Sequence, residues 1–112
     1  MYPKSKSALI RWAKGNIGKE VNVRAYERFI ENGKVLANML VWDVTRVIKH
    51  VQSNAIVFET KEGESSWLFI DQKEDEWEFG EGWFTNSNGF LRSDGIYSEF
   101  RLLYTYEDEL KL

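Results

Sequence analysis

The sequence predicts a mainly β fold of the α+β class, in which a short N-terminal helix precedes a strongly bent antiparallel β-sheet or small barrel of about six to eight strands. Two observations carry this prediction. An Asn32-Gly33 pair stands between two apolar runs, and the later chain alternates short runs of β-branched and aromatic residues with turn signals. The chain has 112 residues and 43% apolar content, which suffices for one core. We therefore expect one domain, with the helix within residues 1–18, an antiparallel meander over 19–106 and a tail over 107–112.

Residues 5–14 have the pattern of a short amphipathic helix that caps the sheet. Ser5 or Ser7 is available to cap its N-terminus, and Gly15 is placed to end it. About three turns are too short to be stable alone, so the apolar side is expected to pack on the sheet. The residues on that side are Ala8, Leu9, Trp12 and Ala13.

The central prediction is a β-hairpin over residues 21–44. Asn32 and Gly33 both tolerate a positive φ, as the two central residues of a type I′ turn require. A two-residue turn places Glu31 opposite Lys34 and fixes the register of the whole hairpin. The apolar face then consists of the pairs Phe29–Leu36, Ala25–Leu40, Val23–Trp42 and Val21–Val44, interrupted by Glu27–Asn38.

A competing interpretation assigns residues 34–51 to one amphipathic helix. Leu36, Leu40, Val44, Ile48 and Val51 recur at helical spacing. The many β-branched residues in this segment favour strands. The strand prediction is preferred, and the helix remains open.

Further strands are predicted over residues 45–51, 55–61 and 64–70. A turn at Glu62-Gly63 would place Phe58 opposite Trp67, with apolar residues on both faces, so this pair of strands is expected in the middle of the fold. Turn signals follow at Asn88-Gly89 and Asp94-Gly95. The last strand covers residues 96–106, and its apolar face consists of Ile96, Ser98, Phe100, Leu102, Tyr104 and Tyr106.

Charge divides the chain into a basic and an acidic half. Residues 1–56 hold ten Lys and Arg against four Asp and Glu, whereas residues 57–112 hold five against fourteen. The acidic residues are densest over 71–82, a segment expected on the outside of the molecule, where they alternate with Trp77 and Phe79. Aromatic rings can anchor a protein contact while acids orient a basic partner.

We therefore predict a non-catalytic binding protein that docks an acidic-aromatic surface onto a basic partner protein. Such a protein acts as a stoichiometric inhibitor or adaptor, as the anti-defence proteins of phages and mobile elements do, and its partner could itself be a nucleic-acid-binding protein. The predicted contact residues are Asp71, Glu74, Asp75, Glu76, Trp77, Glu78, Phe79, Glu81, Trp83 and Phe84.

Two alternative functions remain open. The basic half could bind single-stranded nucleic acid by phosphate contacts and base stacking, although the acidic pI of about 5.2 argues against it. A closed barrel could enclose a small ligand among Trp42, Trp67 and Tyr104, although simple core packing is the preferred explanation of these rings. The candidate nucleic-acid-binding residues are Lys4, Lys6, Arg11, Arg24, Tyr26, Arg28, Lys34, Arg46 and Lys49.

The residue types argue against catalysis, metals and cofactors. The chain has no Cys and one His, His50, so neither a thiolate site nor a His-rich zinc site is expected. No Gly-rich phosphate loop or nucleophile turn is present. No apolar run is long enough to span a membrane and no signal-peptide core follows Met1, so a cytoplasmic location is expected. An open sheet edge could also pair with itself in a homodimer.

Overall fold

The computed structural model describes residues 2–71, 76–91 and 96–106, and the structural statements below refer to these residues. A single 3-10 turn leads directly into a short α-helix, and seven β-strands follow. The elements are the 3-10 turn Lys6–Ala8, α1 Leu9–Lys14, β1 Glu20–Glu31, β2 Lys34–Val51, β3 Ala55–Glu59, β4 Ser65–Phe69, β5 Glu76–Gly80, β6 Trp83–Leu91 and β7 Ile96–Thr105.

The seven strands form one antiparallel sheet in the order β4-β3-β2-β1-β7-β6-β5. The sheet curls strongly into a half-barrel, so the predicted fold class is confirmed. Long strands twist, and twist accumulates across a sheet into curvature. The outermost strands β4 and β5 do not pair with each other, and the helix packs against β2 and β3.

Helix α1 packs its predicted face into the core. Leu9, Trp12 and Ala13 are buried. The cap details differ from the prediction, because Ser5 precedes the 3-10 turn without a side-chain bond to the backbone. Gly15 ends the helix with a φ of −78°, an ordinary helical value.

The hairpin turn is confirmed and the helix over residues 34–51 is wrong. Asn32 and Gly33 have φ values of 52° and 77°, the two positive values of a type I′ turn. The chain after them is one uninterrupted strand, so the predicted separate strand over residues 45–51 is the second half of β2.

Two bulges in β2 change the predicted register of the hairpin. Glu31 lies opposite Lys34 as expected, but shifts follow between Phe29 and Ile30 and between Ala25 and Tyr26. Each shift inserts one extra β2 residue, first Leu36 and then Val41. Beyond both bulges the pairs are displaced by two residues. The observed apolar-face pairs are Phe29–Ala37, Glu27–Met39, Ala25–Trp42, Val23–Val44 and Val21–Arg46.

The β3–β4 connection also differs from the predicted two-residue turn. Thr60 accepts a hydrogen bond from Gly63 and donates one to Glu64, which leaves a three-residue loop with Gly63 at a φ of 88°. This loop moves the register by one residue, so Phe58 lies opposite Ser66. β3 is buried on both faces as expected. β4, however, is an edge strand and not the middle of the fold.

The acidic segment contains a strand that was not predicted. Glu76 and Glu78 are exposed in β5 while Trp77 and Phe79 turn inward, the alternation of a half-buried strand. The predicted turn at residues 88–89 is also wrong, because both lie inside β6 and pair with β7. The predicted turn at residues 94–95 and the tail over 107–112 lie outside the described residues.

Stacked aromatic rings fill the core. Phe84 stands at the centre, with Tyr104 at a ring distance of 4.6 Å and Trp12 at 5.5 Å. Phe58 extends the stack beyond Tyr104, 5.4 Å away. Tyr104 belongs to β7, whose alternation of core and outer residues was predicted. The helix, β1 to β4 and β6 all contribute side chains to the same core cluster.

Candidate protein-binding surface

The most prominent feature outside the core is an unpaired edge in the first part of β2. β3 pairs only with residues 47–51 of this strand. Over residues 34–46, β2 has β1 on one side, and the described part of the chain places no strand on the other. We call this stretch the open edge. Its outward backbone N–H and C=O groups form a template on which another strand can pair.

Large apolar side chains are exposed along the open edge. Leu36 is 59% exposed, Leu40 54% and Met39 52%. Val35 and Val41 complete this group, which we call the apolar patch. A contiguous apolar patch on a protein surface marks an interaction site more often than isolated apolar residues do.

The patch covers both faces of the strand. Met39 lies opposite Glu27, and Leu40 lies opposite Tyr26. Because successive side chains of β1 point to opposite faces, the two β2 residues do so too. Among the described residues none covers either face, since the helix packs near the other half of β2, where Ile48 is buried.

Sequence reasoning missed this site, because it assigned Leu36 and Leu40 to a buried face. The residues that shift the register, Leu36 and Val41, are themselves in the patch. One signal was present. Between Lys34 and Asp43 the strand carries no charge, while β3 is too short to cover it.

Charged residues bracket the apolar patch. Lys34 is exposed at the start of β2. Asp43 is held in place near the other end, where its carboxylate accepts hydrogen bonds from Arg24 at 3.2 Å and from the amide of Asn22 at 2.8 Å. The apolar patch therefore lies between Lys34 and the Arg24–Asp43 ion pair.

The predicted acidic-aromatic residues occupy three different environments. Glu76, Glu78, Glu81 and Asp71 are exposed, and Trp83 is half-buried. Trp77 and Phe79 are half-buried and stack on Phe84 at 6.4 and 6.2 Å. Phe84 is 0% exposed, so its assignment to a contact surface is wrong: the ring is a core residue. Glu74 and Asp75 lie outside the described residues.

One of the exposed acids is engaged within the fold. Glu78 pairs with Arg101, which also lies 3.7 Å from Glu99. Glu99 in turn lies 3.9 Å from Arg28. This row of alternating charges joins β5, β7 and β1. Glu78, which was predicted to contact a basic partner, is therefore already paired with Arg101 within the fold.

The predicted nucleic-acid-binding residues do not form one basic surface. Arg24 pairs with Asp43, Arg28 with Glu99, and Lys49 with Glu59. Lys34 and Lys49 stand near opposite ends of β2. Lys4, Lys6 and Arg11 lie in or beside the N-terminal helix, and half-buried Tyr26 lies in β1.

The Arg46 guanidinium is held by contacts within the fold. It lies 4.9 Å from the ring centroid of Trp42 and donates to the Ser66 hydroxyl at 2.8 Å. Such cation–π stacking holds the side chain over the ring. Arg46 therefore links β2 to β4.

The three rings proposed for an enclosed ligand are dispersed. Tyr104 is buried in the aromatic stack. Trp42 lies beneath Arg46, and Trp67 is exposed on β4, 6.0 Å from Phe69. The structure therefore does not bring these rings together around a shared space.

A surface cleft of about 370 Å³ adjoins the N-terminal helix and is lined in part by Tyr2, Arg11 and Trp12. The Tyr106 ring lies 4.6 Å from the Trp12 ring in a tilted arrangement, and its buried hydroxyl has no hydrogen-bond partner among the described residues. Burial raises the pKa of the Tyr106 hydroxyl above its ordinary value, and the nearby Tyr2 hydroxyl adds to this effect. Tyr106 therefore stays neutral and belongs to the packing of the helix.

The described part of the chain has neither a cluster of metal-ligating side chains nor a helix that could span a membrane. Over residues 2–71, 76–91 and 96–106, no three His, Cys, Asp or Glu side chains converge on a common point. Within the same ranges, no helix has the length and apolar character needed to cross a membrane.

Comparisons with known proteins add no further information about the site. No protein-family model, curated protein or solved structure matches this chain. The candidate surface is therefore defined by its own geometry: an unpaired strand edge and an apolar patch on both faces of it, between Lys34 and the Arg24–Asp43 ion pair.

Proposed function

We propose that this chain is a non-catalytic protein-binding domain that engages its partner along the open edge of β2. The observation that carries the proposal is the coincidence of unpaired backbone with the apolar patch on the same residues. Either feature alone is common on protein surfaces. Together they provide the two components of strand addition, main-chain hydrogen bonds for affinity and side-chain contacts for specificity.

The rest of the fold serves as the support for this edge. β1 pairs with β2 on one side and with β7 on the other, so the open edge is backed by a continuous sheet. The aromatic core and helix stabilise the opposite half of β2. A partner strand would thus meet an ordered edge, and binding would cost little conformational entropy on this side of the contact.

A photo-crosslinking amino acid at position 39 tests the proposal. Met39 is central in the patch, and a probe there should form protein adducts when the purified chain is mixed with an extract of its native cells. The matched control carries the same probe at position 62, where Glu62 is exposed in the β3–β4 loop. We expect adducts from position 39 and none from position 62.

A second pair of variants connects the adducts to the patch. Changing Leu36 and Leu40 to Glu together should abolish the adducts from position 39, because charges cannot be desolvated against an apolar partner. Adducts that survive this double change, or that form equally from both probe positions, would contradict binding along the open edge.

A second candidate surface consists of those predicted acidic residues that are exposed and have no ion pair among the described residues. β5 is an outer strand of the sheet, and Glu76 and Glu81 are exposed on or beside it. This arrangement favours a basic partner protein through electrostatic steering. Lys at both positions should then abolish capture of a purified basic partner, whereas the change of Leu36 and Leu40 should not affect it.

A further inference from the structure

We propose that the cleft beside the N-terminal helix is a binding site for a small aromatic carboxylate. This cleft shares no lining residue with the open edge, so the inference goes beyond the proposed function and is independent of it. The cleft has a volume of about 370 Å³, within the range of about 300–1,000 Å³ that is typical of small-molecule sites. Its lining combines aromatic and cationic side chains, which are suited to the two parts of such a ligand.

Aromatic rings form the apolar wall of the cleft. Tyr2 and Trp12 both line it. The Trp12 ring is held from the core, where its centroid lies 4.6 Å from that of Tyr106 and 5.5 Å from that of Phe84. The Tyr2 ring also lies beside Tyr106, at 5.9 Å. Because packing already holds both rings, a flat apolar ligand can lie against them at little cost in conformational entropy.

Arg11 supplies the charge that binds the carboxylate. Its side chain is exposed on α1 and lines the cleft. No Asp or Glu is among the described residues of the lining, and no other described residue forms an ion pair or hydrogen bond with the Arg11 guanidinium. A planar guanidinium can donate two parallel hydrogen bonds to one carboxylate. Arg11 therefore has its full donor capacity available for a ligand.

The charge of the surrounding segment also favours an anion. Residues 1–19 hold five Lys and Arg and no Asp or Glu, although the whole chain has a net charge of −3. Lys19 also lines the cleft, but it already takes part in another contact within the chain, so the ligand is left with Arg11. One guanidinium matches a single carboxylate, whereas a polyphosphate is usually held by several cations or a metal ion.

The C-terminal end of α1 does not oppose an anion in this cleft. The last carbonyl oxygens of a helix normally repel negative charge. Here the Arg11 carbonyl accepts a hydrogen bond from the Gly15 N–H at 3.2 Å. The Ala13 carbonyl accepts one from the Asn16 N–H at 3.0 Å, and the Asn16 side-chain amide donates to the Trp12 carbonyl at 2.7 Å. These oxygens are therefore engaged, and the Arg11 guanidinium determines the local charge.

Titration with naphthoate, followed by heteronuclear NMR of the full chain, tests the site. We expect saturable shifts of the Trp12 indole N–H signal, together with intermolecular NOEs from the naphthalene protons to the Trp12 and Tyr2 rings. The neutral amide naphthamide has the same ring system. It should bind about tenfold more weakly, because it presents no charge to the guanidinium.

A pair of helix variants tests the role of Arg11. Arg11→Gln should raise the dissociation constant for naphthoate about tenfold and leave that for naphthamide unchanged. The matched control Lys14→Gln removes the same charge from an exposed position on the same helix, outside the lining of the cleft, and should change neither constant. Both positions are exposed, so each variant should keep the amide spectrum of the unmodified chain.

Three outcomes would overturn the site. A titration without saturable shifts would show that the cleft takes no ligand of this class. Equal affinity for naphthoate and naphthamide, or equal losses in the two helix variants, would show that Arg11 does not bind the carboxylate. NOEs to the exposed rings of Trp67 and Phe69 in place of Trp12 would locate the ligand on β4. Binding along the open edge is tested separately, by the probe at position 39.

Discussion

The two halves of β2 are alike in sequence and opposite in environment. Residues 47–51 pair with β3, Val47 also pairs with Glu20 of β1, and Ile48 is fully buried in the core. Residues 34–41 are exposed throughout, although they too are rich in apolar side chains. The difference does not lie in the strand itself. It lies in its neighbours, because β3 ends its pairing at Val47 and the helix packs near the same end.

This contrast separates the residues that stabilise the fold from those that are exposed to a partner. The helix, β3 and the aromatic rings around Phe84 form a packed end, which buries most of the core. The open edge contributes backbone pairing to β1 and little side-chain burial. Substitutions at the packed end should therefore change the free energy of unfolding, and substitutions in the apolar patch should change binding.

Phe84→Ala should have the largest effect on stability. The ring contacts Trp12, Trp77 and Tyr104 and is fully buried. Its removal should lower the free energy of unfolding by about 3–5 kcal/mol, since a cavity remains where the ring was. Urea denaturation measures this change. Phe69→Ala, the same substitution at an exposed ring, should cost less than about 1 kcal/mol, and equal losses at both sites would remove the distinction between packed and exposed regions.

Gly80→Ala should have an intermediate effect at the edge of the packed end. Gly80 lies opposite Trp83, and a Cβ at Gly80 would overlap the indole ring. Displacing the ring should cost about 1–3 kcal/mol. The matched control is Gly15→Ala, whose Cβ would meet Trp12 and Arg11 carbonyl oxygens at the ordinary distances of 3.6 and 3.8 Å. A thermal melt should show a lower Tm for Gly80→Ala alone.

Tyr106→Phe should change how the free energy of unfolding depends on pH. Folding raises the pKa of Tyr106, so the folded state binds this proton more tightly than the unfolded state does. The resulting stability is fully present below the unfolded value of about 10 and is lost as pH rises above it. Removing the hydroxyl should therefore flatten the alkaline loss of stability.

The effect of this variant at neutral pH should be small. The part of the chain that the structure describes offers the Tyr106 hydroxyl no hydrogen-bond partner, so its removal should change the free energy of unfolding by no more than about 1 kcal/mol. The comparison uses denaturation of both proteins from pH 7 to pH 11. An alkaline loss that is as steep in the variant as in the unmodified chain would show that Tyr106 titrates normally.

Local sequence patterns predicted many secondary-structure elements of this fold, but they did not predict the register in which the strands pair. The Asn32-Gly33 turn, the buried helix face and the core positions of Tyr104 and Tyr106 all depend on neighbouring residues, and all three were predicted correctly. The bulges in β2 and the three-residue loop at Gly63 depend on how strands fit across a curved sheet. Each insertion shifts every later pair, so one missed bulge misplaced many residues.

The same limit explains the prediction of the site. Trp77 and Phe79 alternate with acids, and this pattern was interpreted as a contact surface when it is also that of a half-buried strand. The open edge could not be located from composition, because its exposure depends on where β3 stops pairing. Charge and hydrophobicity identify candidate residues, while strand lengths and registers decide which of them reach solvent.

The smallest expected change is in the stability of a chain with serine at both Leu36 and Leu40. These side chains are more than half exposed, so the free energy of unfolding of the monomer should change by less than about 0.5 kcal/mol. The measurement is urea denaturation of the purified chain at low concentration, because a bound partner would otherwise stabilise the unmodified chain by mass action. A loss of about 2 kcal/mol under these conditions would mean that the patch is already covered within one chain. The open edge would then belong to the packed part of the molecule, and no partner would be needed to explain its apolar side chains.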